Sequence, residues 1–116
     1  MHKATVGNVE VTALLDAHLV MDPRQFLPAH AEAFVAEYGH RADVRGLLPM
    51  AVTCYLLRSA GKNILVDTGL GPRKRPGFPG GNLDAAFRDA GLSPADIDVV
   101  VHTHLHIDHV GWNTFD

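Results

Sequence analysis

The sequence is short of several things, and each shortage closes off a class of protein. One cysteine, Cys54, excludes an internal disulfide framework and a cysteine-built zinc site. No apolar run approaches the ~20 residues that a membrane-spanning helix needs. The opening Met1-His2-Lys3-Ala4-Thr5 lacks the ~7–15-residue apolar stretch of a secretory signal. Positive charge is not in excess. Ten Lys and Arg stand against thirteen Asp and Glu, for a net charge of −3 with histidine neutral. That argues against a dedicated binder of nucleic acid or of an anionic membrane. Repeats and dividing linkers are missing as well. With 47% hydrophobic residues the chain has enough to bury a core. The expectation is a soluble, cytoplasmic protein whose residues 1–116 form one domain.

What is present reads as an α/β pattern. Residues 9–15 alternate and then turn apolar, as a strand entering a core does. Ala31, Phe34, Val35 and Tyr38 fall at helical spacings within residues 29–38, and Gly39 is a stop. Residues 50–58 and 63–67 are two strands, joined by Ser59-Ala60-Gly61-Lys62 as an antiparallel hairpin. Residues 68–81 hold five Gly and three Pro and predict an irregular loop. Its Arg73-Lys74-Arg75 reads either as a solvated turn or as a basic lip over an anionic or polar substrate. Asn82 is placed to cap a short helix with Leu83, Ala86, Phe87 and Ala90 on one face and Gly91 at its end. Ser93-Pro94-Ala95-Asp96 has the form of a one-turn capping box. Residues 97–101 (IDVVV) predict a strand buried on both faces, with a polar segment following its carboxyl end.

Histidine is concentrated there. Of eight in the chain, four fall within eight residues: His102, His104, His106 and His109. If the backbone stays extended, side chains two apart share a face, so His104 and His106 converge on one ion while Leu105 and Ile107 turn to the core. Asp108 and His109 follow and face a second ion. Mixed N and O donors suit zinc, with iron, manganese or cobalt as alternatives. His102 shares the face of His104 and reads as an orienting or structural residue rather than a ligand. His18, His30 and His40 are scattered and read as surface or structural, and Asp16 lies near the end of the first strand.

The string His104-Leu105-His106-Ile107-Asp108-His109 resembles the H-x-H-x-D-H signature of the metallo-β-lactamase-fold hydrolases. The hairpin ending in Asp67-Thr68-Gly69, the helix near residues 82–90, and Ser93-Pro94-Ala95-Asp96-Ile97-Asp98 agree with that family in order. The resemblance covers about residues 4–116 and implies the N-terminal half of an αββα sandwich, with metals at one edge between the sheets. It implies that His104 and His106 bind one metal and Asp108 and His109 the other. It makes Asp67 a carboxylate that orients the metal histidines, where the plain alternative is a strand-end turn residue. Val110-Gly111-Trp112-Asn113 resembles the stretch after the motif in lactonase-like and organophosphate-hydrolase-like members. Trp112 there lines a substrate pocket, where the plain alternative is a core or surface tryptophan.

The resemblance implies a metal-dependent hydrolase, dinuclear with zinc in its complete form. Its metal-bound hydroxide would attack a small-molecule lactone, ester or phosphoester. Asp108 would be catalytic, as a ligand that also orients the nucleophile, or a ligand alone. Family members supply further ligands from later in the chain, and a catalytic zinc wants about three protein ligands plus water. The chain is therefore expected to be truncated, with a missing C-terminal half as partner. The alternatives are an inactive metal-binding fragment and a homo-oligomer whose copies complement one another. Thioester hydrolysis and sulfur oxidation also occur on this fold.

Overall fold

A computed structural model describes residues 2–114. Its strands form one five-stranded sheet in the order β1-β2-β3-β4-β5. β1 (His2–Val6) has no apolar alternation to mark it in the sequence, and its residues are all exposed. It pairs antiparallel with β2 (Val9–Met21), Val6 opposite Val9. The two residues between them are Gly7-Asn8, with Gly7 at φ 58°, and that dipeptide is the hairpin signal.

The chain divides into two units. The smaller, His18–Ala51, holds α1 (Pro23–Phe26) and α2 (Ala31–Tyr38), followed by a 3-10 turn at Gly39–Arg41. Asp22 caps α1 by accepting from Arg24 N, with Pro23 opening the helix. Phe34 and Tyr38, one turn apart in α2, pack with their rings tilted and the centroids 5.0 Å apart.

The larger unit comprises the described parts of 1–17 and 52–116 and holds the apolar core. β3 (Leu48–Ser59) and β4 (Lys62–Val66) form the expected hairpin, with Ser59 opposite Lys62. Ala60 and Gly61 both have positive φ, at 49° and 73°, as a two-residue type I′ turn requires. β5 (Val99–Val101) lies parallel to β4, with Val66 opposite Val101. The register sorts side chains onto two faces. Cys54, Leu56 and Leu65 face α3 (Leu83–Asp89), where Leu83 and Phe87 are buried against them together with Leu14. Each such large side chain contributes roughly 1.5–3 kcal/mol by leaving water. Gly91, at φ 70°, ends α3 in a Schellman motif. Leu92 N donates to Phe87 O, and Gly91 N donates to Arg88 O. The capping box at Ser93 is formed as the sequence implies.

Two expectations need correction. Asn82 precedes α3, but its side chain makes no capping bond; Asp16 Oδ1 instead accepts from Leu83 N at 2.9 Å. The strand of residues 97–101 begins at Val99, and Val99, Val100 and Val101 are 45–46% exposed rather than buried on both faces. β5 stands at one end of the strand order, so among the described residues it has a neighbour on only one edge.

Candidate functional site

β4 and β5 run parallel and end together, and Asp67 N still donates to Val101 O at 2.8 Å. A site is expected outside the carboxyl ends of such strands. Past β4 the backbone turns sharply, with buried Asp67 at φ 60°. A non-glycine residue in the left-handed region is uncommon and is held there by its surroundings. Here the holding is done by the carboxylate. Oδ1 accepts from Thr103 N at 2.9 Å, and Oδ2 accepts from the Thr103 hydroxyl and from His109 Nδ1, both at 2.8 Å. Burial pushes the Asp67 carboxyl up, but the hydrogen bonds from His109 and Thr103 outweigh it and hold the group below its ordinary range.

These bonds assign protons. An ionised carboxylate only accepts, so His109 carries a proton on Nδ1, which in the neutral ring leaves the Nε2 lone pair free. The Thr103 hydroxyl has one proton and gives it to Asp67, so its 3.0 Å contact with His104 Nδ1 has the imidazole as donor. His104 too keeps Nε2 free. Asp67 thus fixes two imidazoles in the form a metal ion can use.

The segment after β5 differs from the extended reading. Among the described residues no strand continues past Val101, so the face-sharing rule does not operate there. Leu105 is 77% exposed and Ile107 47%, neither of them in the core. The histidines nevertheless gather. The His104 and His106 rings meet edge-on at 4.5 Å, and His104 and His109 lie 3.9 Å apart. His109 Nε2 is 3.5 Å from Asp108 Oδ2. Two ligands about 2.1 Å from a tetrahedral ion stand about 3.4 Å apart, so this pair has the right span. Among the described residues no three His, Cys, Asp or Glu side chains are arranged to hold an ion together. The donor chemistry fits a divalent metal, in pairs rather than as a closed set.

His102 Nδ1 is buried without a hydrogen-bond partner, 3.7 Å from Asp67 Oδ1 and so beyond bonding distance. The ring lines a cavity of about 560 Å³ with Leu83, Phe87, Val100 and Trp112, and none of His104, His106, Asp108 or His109 lines it. Trp112 packs against the core, and its Nε1 donates to Asp16 Oδ1 at 2.9 Å.

Asp16 is the residue that sequence reasoning undervalued. Buried on β2, it also accepts from Leu70 N at 2.6 Å and from Leu83 N. It ties three distant segments together, and the signal was a carboxylate within an apolar strand. Beside it, residues 68–71 and 109–112 are sewn together. Thr68 N donates to His109 O at 2.8 Å, Gly111 N to Gly69 O at 2.7 Å and Trp112 N to Thr68 O at 3.2 Å. The backbones approach so closely that a Cβ at Gly71 or Gly111 would collide with the opposite strand of the seam.

Residues 47–115, more than half of the chain, match the family model of the metallo-beta-lactamase superfamily. The N-acyl homoserine lactonase AiiB of Agrobacterium fabrum is 35% identical, over 56% of this chain and 29% of its own length. Among solved structures, AidC, a dizinc quorum-quenching lactonase, superposes with a TM-score of 0.76 at 28% identity, covering 95% of this chain and 37% of its own. The hydrolase AbOPH of the beta-lactamase superfamily gives 0.75 at 26% identity, with 94% and 37% covered. The chain thus spans well under half the length of these relatives.

Proposed function

The chain belongs to the metallo-beta-lactamase superfamily, and from that premise we propose that it carries the metal-binding segment of a hydrolase acting on a small-molecule lactone, ester or phosphoester. His104, His106, Asp108 and His109 are the metal-holding residues of this reading, with zinc the first candidate. The observation that carries it is the Asp67 network, which keeps protons on Nδ1 of both His104 and His109 and their Nε2 atoms free. The chemistry a divalent metal supplies there is activation of water and polarisation of the bond that water attacks.

The chain's own residues have separate tasks. Asp67 and Thr103 hold the imidazole protons away from the metal side. Asp108, its side chain 35% exposed, is open both to a metal and to a reacting water that it can orient as hydrogen-bond acceptor. The names of two relatives, an N-acyl homoserine lactonase and a dizinc lactonase, support a lactone as the first substrate to try.

The test is zinc content after exhaustive dialysis. Wild type is expected to retain zinc, and His104→Ala/His106→Ala to lose it. Equal zinc in both would remove the assignment, and hydrolysis of an N-acyl homoserine lactone that survives a chelator would remove metal-dependent hydrolysis.

A further inference from the structure

We propose that the cavity between residues 70–75 and 107–114 is an anion subsite beside the metal-binding segment, where Arg73 and Arg75 take an oxyanion group, carboxylate or phosphate, of the substrate or product. This rests on the hydrolase reading of the neighbouring histidines.

The distribution of charge is the first support. Among the described residues, six of the ten Lys and Arg side chains are in ion pairs: Lys3, Arg24, Arg45, Arg58, Lys62 and Arg88. Of the other four, three are consecutive: Arg73, Lys74 and Arg75. Among the described residues none of these three side chains has an ion-pair or hydrogen-bond partner. Three adjacent cations repel one another, and an anion between two of them relieves that repulsion.

The second support is shape. Arg73 and Arg75 line a cavity of about 270 Å³ with Ile107, Val110, Gly111 and Thr114, and among the described residues no Asp or Glu lines it. Ile107 and Val110 bracket Asp108 and His109 in the chain, so the arginines share a wall with the metal-binding segment. The intervening Lys74 does not line it; its stem packs over Gly80. The seam between residues 68–71 and 109–112 fixes the base of the basic loop against the motif, and the Arg75–Phe78 bridge closes its tip. Guanidinium forks match carboxylate and phosphate oxygens two at a time, which a lysine does not do. Hydrolysis of a lactone or ester yields a carboxylate, and hydrolysis of a phosphotriester yields an anionic diester. An oxyanion would therefore stand beside the metal-binding segment after turnover even when the substrate is neutral.

The test is calorimetric titration of the protein with inorganic phosphate and with hexanoate at low salt, with and without a chelator. Arg73→Gln and Arg75→Gln are expected each to weaken binding at least fivefold. Lys74→Gln removes the same charge and is expected to leave binding within twofold, and a chelator likewise. Wild-type affinity in both arginine variants overturns the proposal, as does an equal loss in Lys74→Gln, which would be a diffuse field effect. Loss of binding on chelation places the anion on the metal and also overturns it. Failure of the hydrolase reading has a different signature, since phosphate binding would persist while zinc retention was absent. The source of the anion follows from steady-state kinetics of the Arg73→Gln/Arg75→Gln variant. A raised KM for a carboxylate-bearing ester and not for a neutral lactone assigns it to the substrate, and weakened inhibition by the ring-opened acid assigns it to the product. No change in either overturns the proposal.

Discussion

Asp67 concentrates the argument at the scale of single residues, because its backbone strain and its hydrogen bonds have one explanation. The left-handed turn at φ 60° is what lets one carboxylate reach both Thr103 and His109. Asparagine tolerates that backbone region better than most residues, so Asp67→Asn removes the charge without breaking the turn. Its amide must then offer a donor or lose an acceptor, and the proton of His109 is no longer held on Nδ1. Divalent-metal affinity is expected to fall about 10–100-fold with the circular dichroism spectrum unchanged; equilibrium dialysis giving unchanged affinity would return Asp67 to a plain turn role. Cys54 tests the core instead. Burial, then the charges of Asp16 and Asp67, push its thiol up to about 12. A raised thiol pKa favours the folded state while the unfolded thiol is protonated, and that advantage is lost progressively as pH rises from the unfolded value of about 8.5 towards the folded one. The native thiol is expected to resist a disulfide reagent at pH 8. Above about pH 8.5 wild type is expected to lose stability relative to Cys54→Ala by up to about 1.4 kcal/mol per pH unit, as read by denaturant titration. Rapid labelling of the native protein would contradict the burial. Residue roles were unevenly legible in the sequence. The ligand-type cluster was evident from spacing, whereas Asp16 acts on partners 54, 67 and 96 positions away, and no local pattern encodes those.

Elements were legible wherever a local rule fixes them. The β3–β4 hairpin, the stop of α3 at Gly91 and the Ser93 capping box each follow from a few adjacent residues. The side chains after β5 were misplaced because the alternation rule was carried past the last paired residue, Val101. Leu105 and Ile107 then had no sheet to put them inward. The hairpin offers a clean test of local reasoning. Ala60 occupies the first turn position at φ 49°, where alanine is disfavoured and asparagine is the preferred partner of a following glycine. Its side chain is exposed, so a change there acts through the backbone. Ala60→Asn is expected to raise stability by ~0.5–1 kcal/mol, seen as a higher Tm. A lower Tm would mean that the turn is not of this type.

At the scale of the molecule, the sheet is treated differently on its two sides. One face carries Leu56, Leu65 and Val100 toward α3. On the other, the pairing register aligns Tyr55, Val66 and Val101 in one row and Leu57, Ile64 and Val99 in the next. These two rows are apolar, yet Tyr55, Val99 and Val101 are 45–46% exposed. Contiguous apolar patches beyond roughly 300–600 Å² on a soluble protein mark an interaction surface or an aggregation hazard. β5 compounds this as an end strand, with one edge free to pair among the described residues. The 116-residue chain is therefore expected to self-associate as its concentration rises, with copies of the open face covering one another. Sedimentation velocity across a range of concentrations reads this directly. Val99→Lys/Val101→Lys places two charges on the open face and on the end strand while leaving the Leu56, Leu65 and α3 side untouched, so it should shift the population toward monomer with the far-ultraviolet spectrum preserved. A wild-type chain that stays monodisperse and monomeric throughout would show that these six side chains do not act as a sticky face, and that the sheet tolerates water on its second side.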